Sequence, residues 1–193
     1  MTLNLVDPLD TERRELAWLT RKGVGMPMAG LLYWLGMAVM LRVLPQRTAL
    51  VAAFVLTGLV FPVGAALTRL AGGNLFARSR VLTPLAVQLA ALQLFYWPVA
   101  IVVFRTQPEW TPFTLAILFG SHFLPYAWLY QSPGYRFLAV SIGVVVTAAV
   151  LIMRDPLYLT IPILTAACYA IAVLMVRREL AAAPLPRFAS YGR

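Results

Sequence analysis

Charge is scarce in this chain: only 12% of its 193 residues are Asp, Glu, Lys or Arg, and just seven are acids. A soluble domain has about a quarter of its residues charged, so a water-soluble fold is excluded at the outset. Cysteine is scarcer still. The single Cys168 cannot close an internal disulfide, and within its apolar run it reads as a small buried hydrophobe. Histidine also occurs once, at His122. One His and one Cys on different runs cannot furnish the three or four protein ligands of a zinc site, so no metal is expected. P-loop, HExxH and GxSxG motifs are missing as well. Ser121 and His122 are adjacent, and consecutive helical residues do not face each other as nucleophile and base. The chain therefore reads as no enzyme, with no cofactor.

What is present is apolar sequence, 61% of the whole, in long runs. A spanning helix needs about 20 mostly apolar residues. Six stretches qualify: 24–44, 48–68, 81–104, 111–130, 137–153 and 157–176. Ala49 to Leu56 is continuously apolar, unlike the alternating strands of a barrel. The expectation is an all-α integral membrane bundle of six transmembrane helices, preceded by a short N-terminal cytoplasmic or interfacial helix in 1–23 and followed by a cytoplasmic tail, 177–193. Asp7-Pro8 reads as the cap and first residue of that short helix, and Gly23 as its stop. It reads as a solvated lead-in to the first span or as a helix that binds lipid or a partner. The first 23 residues also hold Asp7, Asp10, Glu12 and Glu15, unlike a signal peptide, so no cleaved leader is expected.

The net charge of +9 lies in residues that flank the spans, which points to lipid headgroups and topology rather than to nucleic acid. Twelve cations fall on one side: Arg13, Arg14, Arg21, Lys22, Arg69, Arg78, Arg80, Arg136, Arg177, Arg178, Arg187 and Arg193. Four fall on the other: Arg42, Arg47, Arg105 and Arg154. The positive-inside rule then places both termini in the cytoplasm, in a multi-pass protein of the cell (inner) membrane.

No acid lies inside any span, which argues against a carboxylate proton relay or an intramembrane sodium site. The polar residues left at depth are His122, with Ser121 beside it and Tyr126 on the same helix face, and Gln88, Gln93 and Tyr96 of the third span. Pro62, Pro98, Pro125 and Pro162 each remove a helix hydrogen bond, and kinks at comparable depth can open a cavity. The expectation is a small transport or ligand/lipid-binding protein with a polar cavity around His122. The alternative is a structural or accessory subunit that assembles with a second copy or another membrane protein. Interhelical hydrogen bonding alone would also account for the glutamines and the imidazole, and close packing for Gly30, Gly36, Gly64 and Gly143.

The stretch Phe119-Gly120-Ser121-His122-Phe123-Leu124-Pro125-Tyr126-Ala127-Trp128-Leu129-Tyr130, followed by Ser132 and Tyr135, resembles a segment of a bacterial family of uncharacterised multi-pass membrane proteins. Arg21-Lys22-Gly23 and Trp34 are similar too. The resemblance implies an all-helical membrane fold of about six spans and no assigned reaction.

Overall fold

The computed structural model describes residues 7–79, 81–153 and 158–183. Among them every regular element is helical: α1 Pro8–Leu19, α2 Gly25–Val43, α3 Gln46–Leu70, α4 Leu82–Leu92, α5 Trp97–Thr106, α6 Thr111–Leu129, α7 Pro133–Met153 and α8 Thr160–Ala182. The third span is one rod broken in the middle. Pro98 has no N–H to offer the carbonyl four residues earlier, so the α-helix gives way to a 3-10 turn over Gln93–Tyr96 and restarts as α5.

Five spans are long and apolar enough to cross a membrane: Arg21–Val43, Gln46–Leu70, Leu82–Thr106, Pro133–Met153 and Thr160–Ala182. Their outward faces carry Val39, Val55, Phe95, Ile101, Val144, Ile152 and Leu174, all exposed, and only hydrocarbon solvates such a belt. The fourth of the expected spans, α6, has 19 residues but is diluted by Ser121, His122, Pro125, Tyr126 and Trp128. It is instead the inner helix, with Leu115, Ala116 and Leu129 fully buried, packed mainly on α7 and also against α4, α5 and α8. The rest of the bundle follows the chain, α3 on α2, α2 on α8 and α8 on α7.

α2 and α3 cross closely at the end of the bundle nearer α1, here the basal end. The Gly25 N–H donates to Thr68 Oγ1 at 3.2 Å, and that hydroxyl donates to the Gly64 carbonyl at 2.8 Å. A Cβ on Gly25 would lie 2.2 Å from the Gly64 carbonyl oxygen. Gly30, against the Tyr169 ring, and Gly64 do permit close packing, whereas Gly36 and Gly143 face open space and serve no such contact.

α1 begins as its sequence implies, with the Asp7 carboxylate accepting from Leu9 N–H at 3.0 Å. One face of α1 docks on its own bundle, while Thr11, Arg14, Glu15 and Trp18 on its other side stay exposed. Leu16 and Ala17 are buried, Asn74 N–H donates to the Leu19 carbonyl at 2.8 Å, and Ser79 Oγ donates to Glu12 at 2.7 Å. Arg13 donates to the Trp128 carbonyl at 3.1 Å and lies 4.3 Å over the Trp128 ring.

The tail expected from residue 177 is helical through Ala182, and that brings Glu179 inward. Its carboxylate accepts from Lys22 Nζ at 2.8 Å, Ser132 Oγ at 2.7 Å and Gly134 N–H at 2.7 Å. The Tyr135 hydroxyl contacts the Lys22 and Gly23 carbonyls at 2.7 and 2.9 Å. The backbone there is left-handed for three residues, Arg21, Lys22 and Gly23 at φ 49°, 52° and 60°. Left-handed Arg and Lys are strained, and these contacts hold them. Arg80, the loop 154–156 and residues 184–193 lie outside the described residues.

Candidate functional site

Which helices touch decides where the interior opens. α3 lies on α2 and α4 lies on α6, while α3 and α4 have no substantial contact with each other. In the half of the bundle away from α1 the two sides are joined by α5, where Phe54 of α3 meets Trp97 and Phe104 at ring separations of 5.9 and 5.0 Å. In the basal half they part. The space between them is a cavity of about 730 Å³, within the usual range of ligand sites.

Thr57, Gly58, Val60 and Phe61 of α3 form one wall, and Thr83, Ala86, Val87 and Ala90 of α4 the other. Met26, Gly30 and Tyr33 of α2, with Phe119, His122, Phe123 and Tyr126 of α6, close the back. Leu16 and Thr20 on and after α1, and Leu75 to Arg78 of the following loop, form the basal floor. Most of this lining is apolar or aromatic, so the polar cavity expected from the sequence is an apolar chamber with a few polar groups.

The sequence-nominated residues divide by helix face. Ala86, Ala90 and Gln93 recur at helical spacing along the cavity side of the third span. Gln88 falls outside that stripe and is exposed, and Tyr96 also turns outward at 47% exposure. Ser121 is exposed on α6, and its hydroxyl donates to the Leu118 carbonyl of its own helix at 3.2 Å. His122, Tyr126 and Gln93 line the chamber together. The prolines divide as well. Pro62 and Pro125 lie inside α3 and α6. Pro98 opens α5 beside the 3-10 break, whereas Pro162 is the third residue of α8, where a missing N–H breaks no helix bond, so it produces no kink.

Tyr126 is committed, since its hydroxyl donates to the Ala86 carbonyl at 3.1 Å and ties α6 to α4. His122 is not. Its contacts are with rings, Tyr126 at 5.1 Å and Phe123 at 6.1 Å, and among the described residues neither it nor Gln93 has a hydrogen-bond partner. An imidazole and an amide thus face an apolar chamber with unused hydrogen-bonding capacity. Such groups at membrane depth are expensive unless satisfied.

Tyr33, Trp97, Phe119 and Arg78 also line the chamber and were not nominated by the sequence; aromatic residues in apolar runs give no sign of facing a cavity rather than a core. Among the described residues Arg78 is the one charged residue in the lining, at the basal rim. Among the described residues no three His, Cys, Asp or Glu side chains could hold a metal ion.

These features define a multi-pass helical membrane protein with a side-opening chamber inside the bundle. The chain belongs to a family of unknown function, DUF7010, whose model matches residues 9–179. Neither a curated protein nor a solved structure matches it.

Proposed function

We propose that this protein binds a small, largely apolar ligand or lipid in the chamber beneath His122, as a carrier or a sensor within the membrane. The observation that carries the reading is the pair His122 and Gln93, which have no hydrogen-bond partner among the described residues, on the wall of one 730 Å³ cavity. A bundle held only by close packing would pair such groups across helices or exclude them. A bound molecule with a polar atom would satisfy both. The excess of basic residues at the end bearing α1 supports a topology with both termini cytoplasmic, in the inner membrane.

The test is recovery of the bound molecule. Protein extracted into nanodiscs with its native lipids, then delipidated and analysed by mass spectrometry, is expected to release one class of molecule in near-stoichiometric amount. Gly58→Trp is the control. Gly58 lines the chamber, and a Cβ there meets nothing within 4 Å, so a bulky side chain starts from open space at the chamber wall. Equal recovery from wild type and a folded Gly58→Trp variant would refute the reading.

A further inference from the structure

We infer that the ligand is a neutral lipid carrying a carbonyl or hydroxyl oxygen on a hydrocarbon tail, and that it enters head-first from the bilayer between α3 and α4. This rests on the chamber being a ligand site. Access comes first. The chamber is flanked by α3 and α4, which do not pack together, and the outer faces of both helices are apolar. A ligand arriving there comes from lipid.

Charge comes second. Among the described residues the interior holds no charged side chain, and Arg78 at the rim shares a neighbouring hollow with Glu12 and Glu15 of α1. An ionised headgroup drawn inward would lose its hydration with nothing to replace it. At the rim it would meet two carboxylates as well as one guanidinium. A plain acyl tail fits the apolar walls but leaves His122 and Gln93 unsatisfied. A neutral oxygen-bearing head resolves both problems. Gln93 offers amide N–H donors and neutral His122 one ring N–H, so a carbonyl oxygen accepts from either and a hydroxyl can also donate to the free ring nitrogen. The aromatic rings of Trp97, Phe119 and Tyr126 present a flat apolar surface to the head, while the tail lies back through the opening into the membrane.

A substituted benzoquinone and a diacylglycerol share this chemistry. The full chain in phosphatidylcholine nanodiscs is titrated with decyl-benzoquinone, with dioctanoylglycerol and with phosphatidylglycerol, following tryptophan fluorescence and equilibrium partitioning. Saturable binding is expected for at least one of the two neutral probes. Gln93→Leu and His122→Leu together should weaken it tenfold or more, and Arg136→Gln, outside the chamber lining, should change it less than twofold. The neutral probe that binds identifies the head, ring carbonyl or glycerol hydroxyl. Failure of both neutral probes, or tighter binding of phosphatidylglycerol that depends on Arg78 and ignores the double variant, overturns this inference while leaving the chamber a ligand site. Binding of any probe that survives Gly58→Trp unchanged overturns the site itself. Thiol protection of buried Cys168 reports that each variant is folded.

Discussion

Replacing Glu179 with alanine should loosen the basal end more than any surface change. The carboxylate takes three hydrogen bonds, from Lys22, Ser132 and Gly134, and the Lys22 and Glu179 side chains are only 15% and 17% exposed. Removing one member of a buried ion pair costs about 3–5 kcal/mol, because the remaining charge has lost its partner without regaining water. This pair retains some water contact, so we set the expectation at about 2–4 kcal/mol. For a chain of this size each kcal/mol lowers Tm by about 2–4 °C, which gives a fall of about 4–16 °C. The lone Cys168 is buried at 5% exposure, so a maleimide dye that fluoresces on thiol addition reads unfolding from a single position. Lys22→Met should cost less, about 1–2 kcal/mol, since the carboxylate keeps two neutral donors. The double variant Lys22→Met with Glu179→Ala should be more stable than the two single losses summed. A Tm fall below about 2 °C for Glu179→Ala, or strict additivity in the double variant, would refute the account of this junction.

Gly25→Ala forces a methyl to within 2.2 Å of the Gly64 carbonyl oxygen and 2.3 Å of the Thr68 nitrogen, so α2 and α3 must separate; a loss of about 1–3 kcal/mol is expected in the same dye assay. Tyr126→Phe removes the bond to the Ala86 carbonyl and should cost about 0.6 kcal/mol, with faster hydrogen exchange in α4 but not in α8. His122→Leu should leave stability equal or raised in the delipidated protein, because no protein partner is lost, while reducing the recovery of bound ligand. A large destabilisation would mean that the imidazole is holding helices together.

The spans were legible because burial in lipid demands an apolar run long enough to cross it: the first two runs became α2 and α3 within two residues of their expected ends, while the third broke into α4 and α5 and the sixth ran on to Ala182. The ends themselves were set by caps. Ser132 accepts from Tyr135 N–H at 3.3 Å, so α7 begins at Pro133, four residues before its apolar stretch. The chamber was half legible. His122 and Tyr126 stand out as polar residues on an apolar helix, but Gln88 and Gln93 look alike in the sequence. Only the phase of α4 against α6 sends one inward and the other to lipid. Glu179 was missed because it follows Val176, the last residue of the expected sixth span, and reads as tail. The available signal was a lone acid after Arg177 and Arg178, on the same side as Lys22. Lys22 and Ser132, part of the family resemblance, meet at that acid, and Tyr135 holds the backbone of Lys22 and Gly23 beside it.

The inner position of α6 has a consequence for how the protein is made. Five spans, among the described residues, are long and apolar enough to cross a membrane by composition, whereas α6 sets a histidine, a serine and two prolines among its apolar residues. It enters the bilayer as a passenger, held by neighbours that are already there or follow at once. α7 begins four residues after α6 ends and packs along its length, so the two insert as a hairpin.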